Sequence, residues 1–443
     1  MLEFRRCFAV RVLLAAALSL AFLPAFLARA ATDWPDFRGP WHDGHVQAPG
    51  STEPAALPLT WSETGNVAWK TAIPHEGLST PVILNGQIWL TSATEDGRQS
   101  FALCVDAETG EFLFNETIFE TENPEPLGNN INTYASPSPV IEPGRVYVHF
   151  GSYGTACLDT ATAKPIWTRR DLPCRHYRGP GSSPLLYGDL IILTFDGIDQ
   201  QYVAALNKNN GETVWKTDRS TEWKDLQDDG QYVQGGDFHK GFCTPIVFEW
   251  EGRPQLISPA ACAAFAYDPL TGAELWKTDH NGHSASPRPL FGHGLVYVVT
   301  GHRQTELWAI RPGGQGDITG THVAWRYTGK EVPKQPSPLL IGDLIYMIGN
   351  EGHAACLEAL TGAVVWSERI GGNFMASPIY ADGRIYITSM QGETTVLKAG
   401  RDFEVLARNR LESGCLASPA VSGDALFLRT KTHLYRLETL PQP

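Results

Sequence analysis

Short apolar runs rich in β-branched and aromatic residues recur along most of the chain, bounded by glycine, proline or acidic turn residues. Runs of four to eight such residues are typical of β-strands. No apolar pattern with the helical period of 3.6 residues extends across these breaks. The chain is therefore predicted to be all-β. The clearest copies of one recurring strand are 87–90, 145–148, 295–298, 344–347 and 384–387.

A serine–proline or threonine–proline pair precedes each copy of the strand pattern. Eight such pairs occur, spaced 40 to 61 residues apart. A four-stranded unit of this size cannot bury both of its faces alone, so the copies must stack, and radial stacking is usual for four-stranded blades. We therefore predict an eight-bladed β-propeller of four-stranded blades. The pairs begin at Thr80, Ser138, Ser183, Thr244, Ser286, Ser337, Ser377 and Ser418.

The third and fourth strands of the best copies are joined by a turn of the form Asp-x-x-Thr-Gly, or a close variant, and the fourth strand carries a tryptophan. The acidic or amide side chain can bond the local backbone, and the glycine supplies the positive φ of a tight hairpin. We predict that the tryptophans pack between neighbouring blades. The turns are 106–110, 207–211, 268–272 and 358–362, and the tryptophans are Trp167, Trp215, Trp276, Trp325 and Trp366.

The two ends of the repeat array are complementary. The last copy begins at Ser418 and stops one strand short, after 433–437, whereas 66–72 resembles a fourth strand without its first three. We predict that this N-terminal strand completes the last blade and leaves no exposed sheet edge there. The propeller is then 62–443, preceded by a leader segment, 31–61.

The first 30 residues are predicted to be a signal peptide. Arg5, Arg6 and Arg11 precede an apolar run, 12–27, which ends in the small-residue pattern of a cleavage site near Ala30. A run of this length is short for a membrane span. The mature chain is predicted to lack a transmembrane segment and to reside in the periplasm or cell envelope. Sec export is expected, with the twin-arginine route as the alternative.

Charge and motif content narrow the classes of function. Lys and Arg total 35 against 48 Asp and Glu, a net charge of −13, whereas phosphate binding needs clustered cations. Nucleic acid and anionic membrane surfaces are therefore excluded as main partners. The nucleophile-elbow, phosphate-loop, metalloprotease and paired-cysteine zinc motifs are absent from the sequence, and no metal site is predicted.

The repeat phrase Ala-x-Asp-x-x-Thr-Gly-x-x-x-Trp resembles that of pyrroloquinoline quinone (PQQ) propellers, and 33–40 resembles the leader of exported bacterial PQQ-like propeller proteins. The resemblance covers 33–438. The family includes quinoprotein dehydrogenases, which bind PQQ and calcium on the propeller axis. It also includes non-catalytic relatives such as the outer-membrane assembly lipoprotein BamB. The resemblance implies the fold and export, and it leaves both functions open.

Of these two functions, dehydrogenase and non-catalytic protein, the residues favour the second. Many of the dehydrogenases carry a disulfide between adjacent cysteines, and this chain has no adjacent cysteines. The acidic cluster Asp225, Asp228, Asp229 and Asp237 lacks the spacing of an EF-hand loop and is predicted to be a solvated loop. No cofactor is demanded, although PQQ with calcium is implied by the resemblance. We predict a monomeric binding or scaffold protein of the cell envelope; the alternative is a PQQ- and calcium-dependent quinoprotein dehydrogenase that oxidises an alcohol or sugar.

The partner is expected to be an envelope protein or extended peptide, or a small molecule in the axial channel. Loops that join the fourth strand of one blade to the first of the next converge on one mouth of that channel, and long loops of this kind are often functional. In the loop 174–181, guanidinium groups could clamp a carboxylate, or the side chains could simply fill the loop. The candidate ligand-binding residues are Asn129, Asn130, Tyr134, Arg175, His176, Tyr177, Arg178, Trp223, Asp237, His239, His283, Lys334 and Asn373.

Overall fold

The computed structural model describes residues 33–441, except 49, 52, 129, 130, 222, 224–226 and 232. The predicted signal peptide and the candidates Asn129 and Asn130 lie outside the described residues. Within the described part of the chain, no helix has the length and apolar character needed to cross a membrane.

The strands of the first half form consecutive antiparallel sheets. The exception is β1 (Val67–Ala72), which belongs to the sheet of the last blade. A 3₁₀ helix, Val233–His239, lies in the long loop before blade 4. Blade 1 contains β2 (Val82–Leu84), β3 (Gln87–Ala93), β4 (Gln99–Asp106) and β5 (Phe112–Glu120); blade 2 contains β6 (Val140–Glu142), β7 (Arg145–His149), β8 (Thr155–Asp159) and β9 (Pro165–Arg169); blade 3 contains β10 (Leu185–Tyr187), β11 (Leu190–Asp196), β12 (Gln201–Asn207) and β13 (Thr213–Asp218); blade 4 contains β14 (Ile246–Trp250), β15 (Arg253–Pro259), β16 (Ala263–Tyr267) and β17 (Glu274–Asp279).

The second half continues the pattern, so the described residues form eight sheets arranged as an eight-bladed propeller. Between the third and fourth strands of blade 5 lie β21 (Gly316–Asp317) and a four-residue helix, α1 (Thr319–His322). Blade 5 contains β18 (Leu290–Gly292), β19 (Leu295–Val299), β20 (Glu306–Ile310) and β22 (Val323–Thr328); blade 6 contains β23 (Leu339–Ile341), β24 (Leu344–Ile348), β25 (His353–Glu358) and β26 (Val364–Arg369); blade 7 contains β27 (Ile379–Ala381), β28 (Arg384–Thr388), β29 (Glu393–Lys398) and β30 (Val405–Arg410); blade 8 contains β31 (Ala420–Ser422), β32 (Ala425–Arg429) and β33 (His433–Leu437).

The N-terminal strand closes the ring, as the sequence predicts. Strand β1 pairs antiparallel with β33, with Lys70 opposite Tyr435 and Thr71 opposite Leu434. The sheet order of blade 8 is therefore β1-β33-β32-β31. Because the first and last segments of the propeller share one sheet, the pairing ties the ends of the domain together.

The repeat residues are explained by contacts between blades. A Cβ atom added at Gly211 would lie 2.7 Å from the indole of Trp167 in the preceding blade, and Gly211 has a φ of +75°. The Trp167 indole N–H also donates to the Lys208 carbonyl of the same turn, at 2.8 Å. Glycine is thus required both for the turn and for the tryptophan that packs on it. The same packing joins Trp69 to Gly110, Trp215 to Gly272 and Trp325 to Gly362.

This packing predicts that Gly211→Ala destabilises the protein more than Gly188→Ala does. Both glycines have positive φ, at +75° and +57°, but no atom lies within 4 Å of a Cβ at Gly188. The left-handed conformation alone should cost Gly188→Ala about 1–2 kcal/mol. Gly211→Ala should lose a further 1–3 kcal/mol or so, because the methyl group overpacks against Trp167. Denaturant unfolding of both variants checks this, and equal losses would contradict it.

The seam between blades 4 and 5 departs from the predicted four-stranded pattern. In blade 5 the Thr-Gly pair, Thr319 and Gly320, lies in the helix α1 and not in a tight hairpin turn, and β21 pairs in parallel with β17, which gives the blade 4 sheet five strands. Trp276 therefore has no turn to pack on, and its indole N–H donates to Gln255 of its own blade, at 2.9 Å. Ile318, which follows β21, is buried in the same apolar cluster as Trp276.

Hydroxyl groups of the Ser/Thr–Pro pairs link successive blades around the axis. The Thr80 backbone N–H donates to the Ser138 hydroxyl, and Ser138 N–H donates to the Ser183 hydroxyl, both at 2.9 Å. Among the described residues, six of the eight junctions between blades are thus fastened at the same position. The other donor–acceptor pairs, also at 2.9 Å, are Ser183–Thr244, Arg288–Ser337, Ser337–Ser377 and Ser377–Ser418.

Blade 5 differs here from the sequence expectation, which placed its pair at Ser286. Strand β18 begins directly after Pro289, as the other first strands begin directly after their prolines. The residue at the hydroxyl position of blade 5 is therefore Arg288. The sequence Ser-Pro-Arg-Pro offers two prolines, and the strand start selects the second.

Candidate functional site

The leader segment crosses one face of the propeller. Trp34 exchanges backbone hydrogen bonds with Ile83 of blade 1, at 2.8 Å each, and Val46 N–H donates to the Tyr380 carbonyl of blade 7, at 3.0 Å. Between these points, Phe37 lines one end of the axial cavity. The leader therefore spans the axis and closes the channel from this side.

A buried ion pair holds the leader on the axis. Asp36 accepts hydrogen bonds from the two terminal nitrogens of Arg288, Nη1 and Nη2, and both side chains are about 1% exposed. The Arg288 Nε also donates to the Pro245 carbonyl, at 3.1 Å. Burial alone would raise the pKa of Asp36, but the charges of Arg288 and His42 outweigh it and hold this pKa well below its usual range. Asp36 is thus a carboxylate in the folded protein.

On the other side of Phe37 lies a cavity of about 340 Å³, which falls in the size range of small-molecule sites. The linking hydroxyls Ser138, Ser183 and Thr244 form part of its wall. Apolar side chains form the rest of that wall together with a few charged and imidazole groups. The apolar members are Leu78, Ile131, Phe242, Met375 and Leu416, and the titratable members are Arg178, Asp237, Lys240, His283 and His302.

The charged group of the cavity has two cations around one carboxylate. Arg178 donates to both Asp237 oxygens, at 3.3 and 2.9 Å, and the Lys240 ammonium contacts the same carboxylate. The Lys240 side chain is only 1% exposed, and its ammonium also lies 5.4 Å from the ring centre of Tyr177. Burial alone would raise the pKa of Asp237, but Arg178 and Lys240 outweigh it and lower this pKa.

Two imidazoles face this cluster in neutral form at neutral pH. Burial lowers the pKa of His302 to about 4, with the Lys334 charge as the next contributor. Burial likewise lowers the pKa of His283. The His302 and His283 rings are stacked at 6.2 Å. Neither ring therefore adds positive charge to the cavity at neutral pH.

Of the predicted candidates, the structure brings Arg178, Asp237 and His283 together in the cavity. Lys240 lies at the end of the long loop before blade 4 but was not among the candidates. Its signal would have been its position four residues before the Thr244 pair, close to the axis.

The remaining candidates take local roles in the loops. The Arg175 side chain is 64% exposed and pairs with Glu125, at 3.2 Å. His176 is buried, accepts a hydrogen bond from the Ser152 N–H at 3.0 Å, and has its pKa lowered by burial to about 4. The other placements are a Tyr134 hydroxyl bond to the Glu125 carbonyl, Tyr177 beneath the Arg178 guanidinium, Trp223 stacked on His239, and backbone bonds from Lys334 to Asn350 and from Asn373 to Gln391.

The cavity donors do not fit calcium. Calcium takes six to eight oxygen ligands, with carboxylates prominent among them. The described lining residues include one carboxylate, Asp237, and its oxygens bond Arg178 and Lys240. In the part of the chain that the structure describes, no three His, Cys, Asp or Glu side chains are grouped to hold a metal ion. The residues therefore do not match the calcium that accompanies PQQ in quinoproteins.

Fold and repeat together define a PQQ-like β-propeller of the BamB and quinoprotein superfamily. The model of the family described as "Outer membrane protein assembly factor BamB" matches residues 199–439, and the chain belongs to that family. It is 26% identical over 235 residues to the outer membrane protein assembly factor BamB of Alkalilimnicola ehrlichii, which covers 52% of this chain and 54% of the relative. It is 28% identical over 204 residues to the quinoprotein ethanol dehydrogenase of Pseudomonas aeruginosa, which covers 43% of this chain and 29% of the relative.

Solved structures share the fold. BamB from Moraxella catarrhalis matches with a TM-score of 0.55 and 12% identity, covering 84% of this chain and 99% of that one. A europium-containing methanol dehydrogenase also matches with a TM-score of 0.55 and 12% identity, covering 90% of this chain and 89% of that one. Because BamB and a methanol dehydrogenase match equally well at 12% identity, the likeness shows the fold alone. The chain spans about half the length of the first curated relative and less than a third of the dehydrogenase.

Proposed function

We propose that the protein is a non-catalytic binding or scaffold protein of the cell envelope, which acts through the mouth of its axial channel. The observation that carries the proposal is the engagement of Asp237 by Arg178 and Lys240, an arrangement suited to holding an anionic group. Membership of the BamB family supports the envelope role. The periplasmic location, the cleaved signal peptide and a monomeric state belong to the same proposal.

The quinoprotein alternative makes a different prediction in a reconstitution assay. Purified protein is mixed with PQQ, calcium and an artificial electron acceptor, and ethanol or glucose is added as substrate. We expect dye reduction no faster than in a protein-free control, because Asp237 is already bonded to two cations. Substrate-dependent reduction that is lost in Asp237→Asn would overturn the non-catalytic proposal.

Site-specific photocrosslinking tests the binding role. A photoreactive amino acid at Tyr177, which is 37% exposed at the channel mouth, is compared with one at Leu360, which is 58% exposed in a hairpin turn. In envelope extract, we expect a discrete protein adduct at position 177 that is absent at position 360. Equal labelling at the two positions, or none at 177, would contradict a partner at the mouth.

A further inference from the structure

The charge in the axial cavity is not balanced. Two cations, Arg178 and Lys240, share one carboxylate, Asp237, and the nearby Glu125 is bonded to Arg175 and to the Tyr177 backbone N–H. A buried ammonium group is costly unless an anion compensates it. Counted over the described lining residues, the cavity thus carries one surplus positive charge in a protein whose net charge is −13. This arrangement favours an anionic ligand group.

The cavity is closed at one end and continues outward at the other. Phe37 of the leader forms part of its inner wall. A second cavity of about 480 Å³ adjoins it, because Leu78, Ile131 and Leu416 line both. This outer cavity has mixed charge, with Glu76, Glu95, Arg429 and Lys431 in its wall. The combined space suits a linear ligand with one anionic end inside and its body directed outward.

We propose that the axial cavity holds the C-terminal carboxylate of an extended peptide whose last side chain is apolar. The proposal rests on the proposed binding function and names the ligand class of that site. Lys240 and Arg178 bind the carboxylate, and the apolar side chain packs against Phe242, Met375 and Leu416. Terminal carboxylates captured by convergent donors are an established mode of peptide recognition.

The hydroxyl ring explains how the peptide backbone is accommodated. Ser138, Ser183 and Thr244 each accept one backbone N–H from the preceding blade. A hydroxyl also has a proton to donate, so each can bond a peptide carbonyl without losing its link between blades. The channel wall can therefore pair with backbone groups of any sequence, and Lys240 and Arg178 select the terminal carboxylate.

A peptide pair that differs at one group tests this proposal. The probes are a fluorescein-labelled hexapeptide pool, randomised at five positions and ending in leucine, phenylalanine or valine, and the same pool with a C-terminal amide. By fluorescence anisotropy, we expect the free acid to bind roughly tenfold or more tightly than the amide, since charge-assisted hydrogen bonds are lost in the amide. Equal affinities would overturn the proposal.

Lys240→Met keeps the apolar stem of the side chain and removes the charge, whereas Lys398→Met removes an exposed lysine paired with Glu404. We expect Lys240→Met to bring the acid-to-amide ratio close to one and Lys398→Met to leave it unchanged. If Lys240→Met does not fold, Arg178→Gln provides the same comparison. If a folded Lys240→Met or Arg178→Gln variant still prefers the free acid to the amide as strongly as the wild type does, the proposal is also overturned.

Free hexanoate and decanoate separate a peptide from a small carboxylate. We expect them to displace the peptide pool at least tenfold less effectively than the unlabelled free-acid pool. Equal displacement would assign the site to small carboxylates and reject the peptide. If the wild type binds the acid and amide pools equally but the photocrosslinked adduct at position 177 still forms, the C-terminal ligand is rejected and the proposed binding function stands.

Discussion

Deletion of residues 62–72 is expected to remove the cooperative unfolding transition of the whole propeller. The deletion removes β1, the partner of β33, and leaves the last blade with three strands and an open edge. It also removes Trp69, which packs on Gly110 of blade 1. Because each blade is packed on two neighbours, the loss affects the ring and not one sheet. Thermal melts followed by near-ultraviolet circular dichroism measure the effect.

A synthetic peptide with the sequence of 62–72 serves as the control for this deletion. Added in excess, it should restore part of the transition, because a strand that pairs with β33 stabilises the folded form by mass action. A peptide with the same composition in scrambled order should not. If the deletion variant melts like the full chain, the closure does not stabilise the fold. If it does not express, Trp69→Ala tests the same seam, with an expected loss of about 3–5 kcal/mol.

Replacement of Arg288 by methionine is expected to have the second largest effect. Asp36 would remain buried without its guanidinium partner, and breaking a buried ion pair in this way typically costs about 3–5 kcal/mol. The double variant Asp36→Asn with Arg288→Met removes both charges and should recover much of that loss. Urea unfolding of the two single variants and the double variant measures the coupling. Additive losses in the double variant would contradict a direct interaction.

The same ion pair makes a prediction about pH. The pKa of Asp36 is lower in the folded protein than in the unfolded chain, where it is close to 4. The contribution of Asp36 is therefore fully present above that value and is lost as the pH falls below it. The difference in unfolding free energy between the wild type and Asp36→Asn should shrink between pH 6 and pH 3. A constant difference would argue against the depressed pKa.

The fold could be predicted from the sequence because the repeat residues carry its contacts. Gly211 and Trp167 belong to different copies of one phrase, and each is needed by the other. Where blade 1 carries Phe114 at the tryptophan position, the following blade carries Ala163 at the glycine position. Repeat spacing therefore revealed both the number of blades and the order in which they pack.

The departures of blade 5 from the repeat could not be predicted from the sequence, because they depend on long-range contacts or on residues outside the repeat pattern. The pairing of β21 with β17 joins a loop of blade 5 to another blade, and no local pattern indicates it. Arg288 at a hydroxyl position is explained by Asp36, which is 252 residues away in sequence. The placement of the blade 5 pair at Ser286 was wrong because either Pro287 or Pro289 could precede a strand, and β18 begins after the second.

The candidate site was accessible to sequence reasoning in its location but not in its chemistry. Loop convergence predicted that Arg178, Asp237 and His283 lie near one mouth of the channel, and the three residues line one cavity in the structure. It could not distinguish Arg178, which faces the cavity, from its neighbour Arg175, which faces solvent and Glu125. Alternation within an irregular loop has no fixed period, so the direction of each side chain depends on the tertiary structure.

Amide hydrogen exchange of the full chain, read by mass spectrometry, is the most direct test of the closed ring. The account predicts that β1 (Val67–Ala72) and β33 (His433–Leu437) exchange together, at the slow rate of global unfolding, because their amides share one sheet. Peptides from the exposed loop 227–231 should exchange within seconds as the internal reference. Exchange of β1 at the rate of that loop, with β33 still protected, would contradict the closed propeller.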